Sequence, residues 1–196
     1  MKILLFPLSF LAFACGDKET SDSGAADADT DADTDADTDA DPGATLPTVE
    51  SPLMINEIVA SNFEGLTDLS GAHPDWVEIW NDGSEDVNLA DFFLSDDPDW
   101  PDKWAFPPEA AIPANGYLIV MCDGDVLDSS TGELHTNFQL KADGEWLALN
   151  IDTGSGLGQI DGLDFPLLGT DVSWARQPDG GTFESDSTPT PSASNE

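Results

Sequence analysis

The sequence predicts an all-β fold, a sandwich or barrel, carried by residues 53–196. Short apolar or alternating runs recur, turn residues separate them, and no helical period lasts beyond about two turns. Six Trp and ten Phe are too many for a wholly disordered chain, although hydrophobic content is only 39%. The first predicted strand is 53–59. The second, 76–80, ends at the turn Asn81-Asp82-Gly83. Residues 87–94 read as one strand, 104–106 as a short one, and 107–111 as a single helical turn. The turn Pro113-Ala114-Asn115-Gly116 leads into 117–122. Residues 138–140 read as another short strand, and Asp143-Gly144 turns the chain into 146–151. A Gly-rich turn separates that run from 158–165, and 172–175 completes the set.

Alternation assigns faces. In residues 76–80, Val77 and Ile79 lie opposite Trp76, Glu78 and Trp80, and Val77 and Ile79 form the expected core face. In residues 55–59, Asn56 and Glu57 interrupt an apolar run. A carboxylate buried there needs a partner. The domain has a single Arg, so Arg176 is expected to pair with Glu57 or Glu78 in a structural role. Glu57 is the favoured partner, because Glu78 shares its face with two Trp side chains expected to be partly exposed, which makes Glu78 the less buried of the two.

The N-terminal quarter is of a different kind. Residues 1–14 read as a secretory signal peptide: Lys2 is the charged start, and a short apolar run ends in small residues. Leu11-Ala12-Phe13-Ala14 before Cys15 resembles the bacterial lipobox, which implies a lipid anchor on Cys15. The run is too short for a spanning helix. Residues 15–52 form a lipidated Cys plus a disordered linker, with three copies of Asp-Ala-Asp-Thr over 27–38 and no aromatic residue. At about 3.3 Å per residue, this self-repelling linker extends to roughly 120 Å. The expected location is the cell envelope, at the outer membrane or surface of a Gram-negative bacterium. Gly16, rather than Asp, in the second mature position favours the outer membrane. With Cys15 lipidated, only Cys122 remains, so an intrachain disulfide is excluded and Cys122 reads as a small core residue.

The formal charge of −35 comes from 40 Asp and Glu against 5 Lys and Arg, and it excludes unaided nucleic-acid binding. Residues 53–196 carry −25. Catalytic constellations are missing: the histidines are His73 and His135, with no Gly-x-Ser-x-Gly and no His-Glu-x-x-His. His135 reads as a loop residue making a structural hydrogen bond. No enzyme activity and no cofactor are expected, with calcium the one candidate. Asp96, Asp97, Asp99 and Asp102 crowd one loop, and Asp123, Asp125 and Asp128 crowd another. Such carboxylates repel unless a cation intervenes, and solvated loops are the competing reading. Trp100, beside the first group, is a candidate to stack on a sugar ring; a simple loop anchor is the competing role.

Several segments then carry a resemblance in order: Met54-Ile55-Asn56-Glu57-Ile58, Asp75-Trp76-Val77-Glu78-Ile79-Trp80-Asn81, Val87-Asn88-Leu89-Ala90-Asp91, Ile112-Pro113-Ala114-Asn115-Gly116-Tyr117, His135-Thr136-Asn137-Phe138, Arg176-Gln177-Pro178-Asp179-Gly180 and Thr190-Pro191. Together they resemble the bacterial lamin-tail domain. The resemblance implies an immunoglobulin-like β-sandwich and an accessory module for anchoring or binding. One departure is Thr190-Pro191-Ser192-Ala193, where the family has Thr-Pro-Gly-Ala. The expected function is a membrane-anchored, surface-displayed, non-catalytic binding or adhesion module. Its partner would be an unknown surface protein or polysaccharide. The competing readings are an envelope spacer or coat protein without a specific ligand, and an unrecognised hydrolase.

Overall fold

Alternation in the long runs decides which side chains turn inward. Val77 and Ile79 are fully buried between two sheets, as are Leu147 and Leu149 on the facing side. The computed structural model describes residues 45–126 and 132–196. Among these residues there are β1 (Leu53–Val59), β2 (Trp76–Asn81), β3 (Val87–Asn88), β4 (Phe92–Ser95) and β5 (Trp104–Ala105). Then come β6 (Ala111–Ile112), β7 (Tyr117–Met121), β8 (Glu145–Asp152), β9 (Leu157–Phe165), β10 (Ser173–Gln177) and β11 (Thr182–Asp186). One sheet runs β11-β10-β1-β2-β7 and the other β5-β4-β8-β9, with β3-β6 as a small pair. All strand pairs are antiparallel. Ile55, Ile58 and Val120 from the first sheet meet Phe92, Leu94 and Phe165 from the second, so the fold is a sandwich and not a barrel.

Four local expectations change. Residues 87–94 form two strands, because the Asn88 side chain accepts from the Ala90 N–H (2.9 Å) and the Phe92 N–H bonds Leu89 O (3.0 Å), which turns the chain. Residues 107–111 give a β-turn (Ala110 N–H to Pro107 O, 2.9 Å) and then the start of β6, not a helical turn. Residues 138–140 bury Phe138 and Leu140 without forming a strand. Residues 45–52, placed in the linker by composition, are joined to the sandwich. The Val49 N–H donates to Gln159 O (2.8 Å) and the Gln159 N–H to Pro47 O (2.9 Å), which extends the sheet beyond β9.

The polar interruption in β1 is a β-bulge. The register with β2 shifts between Ile55 and Glu57, so Asn56 is the extra residue. The bulge lets Ile55 and Ile58 both reach the main core while Asn56 and Glu57 lie on the outer face. It also frees the backbone of Ile55, and here the expected partner of Arg176 must be corrected. Arg176 pairs with Asp161 of β9, not with Glu57 or Glu78. Its Nη2 donates to both Asp161 oxygens (3.3 and 3.0 Å), its Nε to Ile55 O (2.9 Å) and its Nη1 to Gly181 O (3.0 Å). Asp161 in turn accepts from the Ile55 N–H (2.9 Å). The two side chains thus replace the ladder bonds that the bulge removes, and they tie β10 to β9 across the sandwich edge. The guanidinium also lies 4.3 Å from the Phe183 ring centroid.

Candidate functional site

The outer face of the five-stranded sheet carries the most unusual chemistry. Glu57 and Glu78 stand directly opposite each other on β1 and β2 and are 1% and 0% exposed. Sequence reading placed Glu78 as the less buried of the two, and the structure corrects this. Asp179, in the turn between β10 and β11, completes the group. Asn56 Nδ2 donates to Glu78 (3.1 Å) and to Asp179 (2.9 Å), and the Tyr117 hydroxyl donates to Asp179 (2.5 Å). The three Lys and Arg side chains of the domain are engaged elsewhere, with Asp96, Glu145 and Asp161. Like charges opposite one another in a sheet are unfavourable. Burial pushes Glu57 up and Glu78 up to about 7. Burial also acts on Asp179, but bonds from Tyr117, Asn56 and the Asn195 N–H outweigh it and hold that carboxyl below its ordinary value. Burial, then Asp179, pushes the Tyr117 phenol to about 12.

What buries these carboxylates is the C-terminal segment, residues 187–195, lying across them as a strap. The Thr190 N–H donates to both Glu57 oxygens (3.3 and 3.1 Å), the Ser192 N–H to Glu78 (2.7 Å) and the Asn195 N–H to Asp179 (2.9 Å). Residues 190–193 form the turn that aims these donors. The Ala193 N–H bonds Thr190 O (3.0 Å), Pro191 occupies the second position, and Ser192 has φ 61° in the third. This is the type II pattern, which asks for Gly in the third place.

Beside the strap lies a cleft of about 370 Å³. Val59, Leu66 and Trp76 are apolar lining, Pro189 and Pro191 of the strap form a wall, and Asn62, Glu64 and Asp171 add polar groups. The facing loop is pinned. Asn62 Nδ2 donates to Leu66 O and Pro74 O (2.7 Å each), and Asp171 accepts from the N–H groups of Phe63 (2.7 Å) and Glu64 (3.0 Å). Those N–H groups hold the Asp171 carboxyl below the usual range, so the cleft keeps a negative charge. The neighbouring Phe63 ring is 69% exposed.

The residues singled out by sequence are mostly dispersed. Cys15 and Asp128 lie outside the described residues. Asp96 bonds Lys103 (2.5 Å), Asp97 accepts from the Asp99 N–H (3.0 Å), and Asp102 is exposed. Asp123 accepts from the Asp125 N–H (3.0 Å) and contacts His135 Nδ1 (2.9 Å), which fits the structural reading of that histidine. Among the described residues, no three Asp, Glu, His or Cys side chains converge to hold a metal. The Trp100 ring is 52% exposed; its loop is held instead by the Ser95 hydroxyl, which bonds Asp97 O and Trp100 O. Cys122 is a buried core residue, and burial pushes its thiol well up. Sequence reading flagged Glu57 and Glu78 but missed Asp161, Asp179 and the strap. The available signals were Asn56-Glu57 in an apolar run and Thr-Pro-x-Ala at the end of the chain.

Comparison with protein-family models matches the Lamin Tail Domain over residues 47–163. The chain belongs to the lamin tail domain family. Its sandwich is accordingly immunoglobulin-like, and a lamin tail domain is a fold of typically non-catalytic kind. The match begins where Pro47 joins β9, in agreement with the hydrogen bonds. Searching curated proteins finds no match. In this lamin tail domain the strap and Asp179 lie beyond the matched span.

Proposed function

We propose that this lamin tail domain is a surface-displayed, non-catalytic binding module. Its cleft takes a basic segment of a partner protein, and lipid on Cys15 with the acidic linker holds it away from an outer membrane. The cleft between the strap and the 62–66 loop carries this reading. It has an apolar floor, walls already pinned by hydrogen bonds, and carboxylates but no cation among its lining residues. A formal charge of −35 attracts cationic partners and speeds their encounter. The buried Glu57–Glu78 pair does not line the cleft.

The experiment offers the full chain to arrayed peptides carrying Lys or Arg beside Leu or Phe, and in parallel to a glycan array. Basic apolar peptides are expected to bind, and Glu64→Lys is expected to weaken them about tenfold, by reversing one charge at the cleft. Binding to glycans alone, or to neither array, overturns the cleft reading. Anchoring is tested separately: Cys15→Ser is expected to move the protein from the detergent phase to the aqueous phase. Unchanged partitioning removes the lipid from the proposal.

A further inference from the structure

The strap is held by an arrangement that costs something to maintain. Two carboxylates face each other on adjacent strands, both buried, with Asp179 beside them. Each is capped by a neutral N–H from the strap rather than by a cation. The groups around the pair are all acidic or neutral. Asp186 of β11 acts on Glu57; Asp179 and, from β7, Tyr117 interact with Glu78. Residues 187–195 contain no charged side chain. Among the described residues nothing packed against the pair therefore neutralises it, and the remaining way to relieve the repulsion is to bind a proton.

We propose that the strap is a proton-linked latch: a proton taken up by the facing Glu57 and Glu78 carboxylates keeps residues 187–195 docked, and its loss loosens them and opens the cleft they wall. Lifting the strap lets water reach both carboxylates, which lowers the cost of ionising them. Docking and protonation are therefore coupled in both directions. The strap supplies Ser187, Pro189 and Pro191 to the cleft, so the same movement changes the cleft's width. Only this last consequence rests on the binding reading given above; the latch itself does not.

The sign follows from the direction of the shift. Glu78 is raised to about 7 with the strap down, against an ordinary value of 4.5. Docking is therefore strongest below about 4.5, weakens by roughly tenfold per pH unit up to about 7, and levels off above that.

Amide hydrogen exchange on the full chain from pH 5 to 8 reads this directly. Protection factors, corrected for intrinsic exchange, are followed at Ser192 and Asn195 with the amides of β8 as an internal reference. The strap amides are expected to lose protection about tenfold per pH unit between pH 5 and 7 while β8 does not. Glu78→Gln is expected to flatten that slope whatever it does to the absolute level. Should Glu78→Gln fail to fold, Glu57→Gln serves the same purpose, since it removes the opposing charge. Flat protection in the unaltered chain overturns the latch. So does an equal slope in β8, which would mean global unfolding, or an undiminished slope in the folded variant. A chain that binds no peptide but shows the slope keeps the latch and loses the cleft reading.

Discussion

The two sides of the β1 bulge solve the same problem in opposite ways. Toward β9, the freed Ile55 backbone is met by an ion pair: Asp161 accepts its N–H and Arg176 donates to its carbonyl, while the two side chains bond each other. On the outer face the bulge delivers Glu57 opposite Glu78, and only neutral donors meet them. The first arrangement is complete in charge and ties three strands together. The second is complete in hydrogen bonds but not in charge. A buried charge that is paired builds structure, whereas one capped only by N–H groups stays sensitive to protons.

Breaking the paired side should have the larger effect. Arg176→Met leaves Asp161 without its cation and two backbone carbonyls without their donor. Unfolding free energy is expected to fall by about 3 kcal/mol, read from the denaturant midpoint at unchanged m-value. Arg176→Lys should recover only part of this, because one ammonium cannot reach Asp161, Ile55 and Gly181 together as the planar fork does. A loss within experimental error would mean that the bulge needs no such tie.

The capped side is sharpened by a smaller change in the opposite direction. Ser192 holds φ 61° so that its N–H meets Glu78. A side chain in that region is strained, and Gly is not. Ser192→Gly is expected to stabilise the strap by about 1 kcal/mol, visible as slower exchange at Asn195 with little change in β8. Weaker protection would show that the Ser192 side chain contributes more than its backbone strain costs.

Much of the fold was legible in the residues. Alternation in 76–80 and 146–151 is strong because one face of each strand is sealed against the other sheet. The short strands were not: 87–94 broke at an Asn88 turn, and 182–186 (Thr-Phe-Glu-Ser-Asp) has too few buried positions to show a period. The carboxylates were legible as anomalies, since an acid in an apolar run is expensive wherever it points. Their partners were not, because Asp161 and Asp179 look like any other acidic residue in a chain with 40 of them.

By itself, the sequence determined an all-β domain, a strong negative charge and a chain poor in cations. These follow from local period and composition, which hold however the strands are arranged. Tertiary structure alone decided that Arg176 meets Asp161 and that the strap lies over Glu57 and Glu78. Arg176 and Asp161 are close in sequence, but what brings them together is Ile55 on β1, and both that contact and the strap's contact with Glu57 join segments more than a hundred residues apart around a one-residue bulge. Pairing over that separation is set by the packing of two sheets, and no local pattern in the sequence records it.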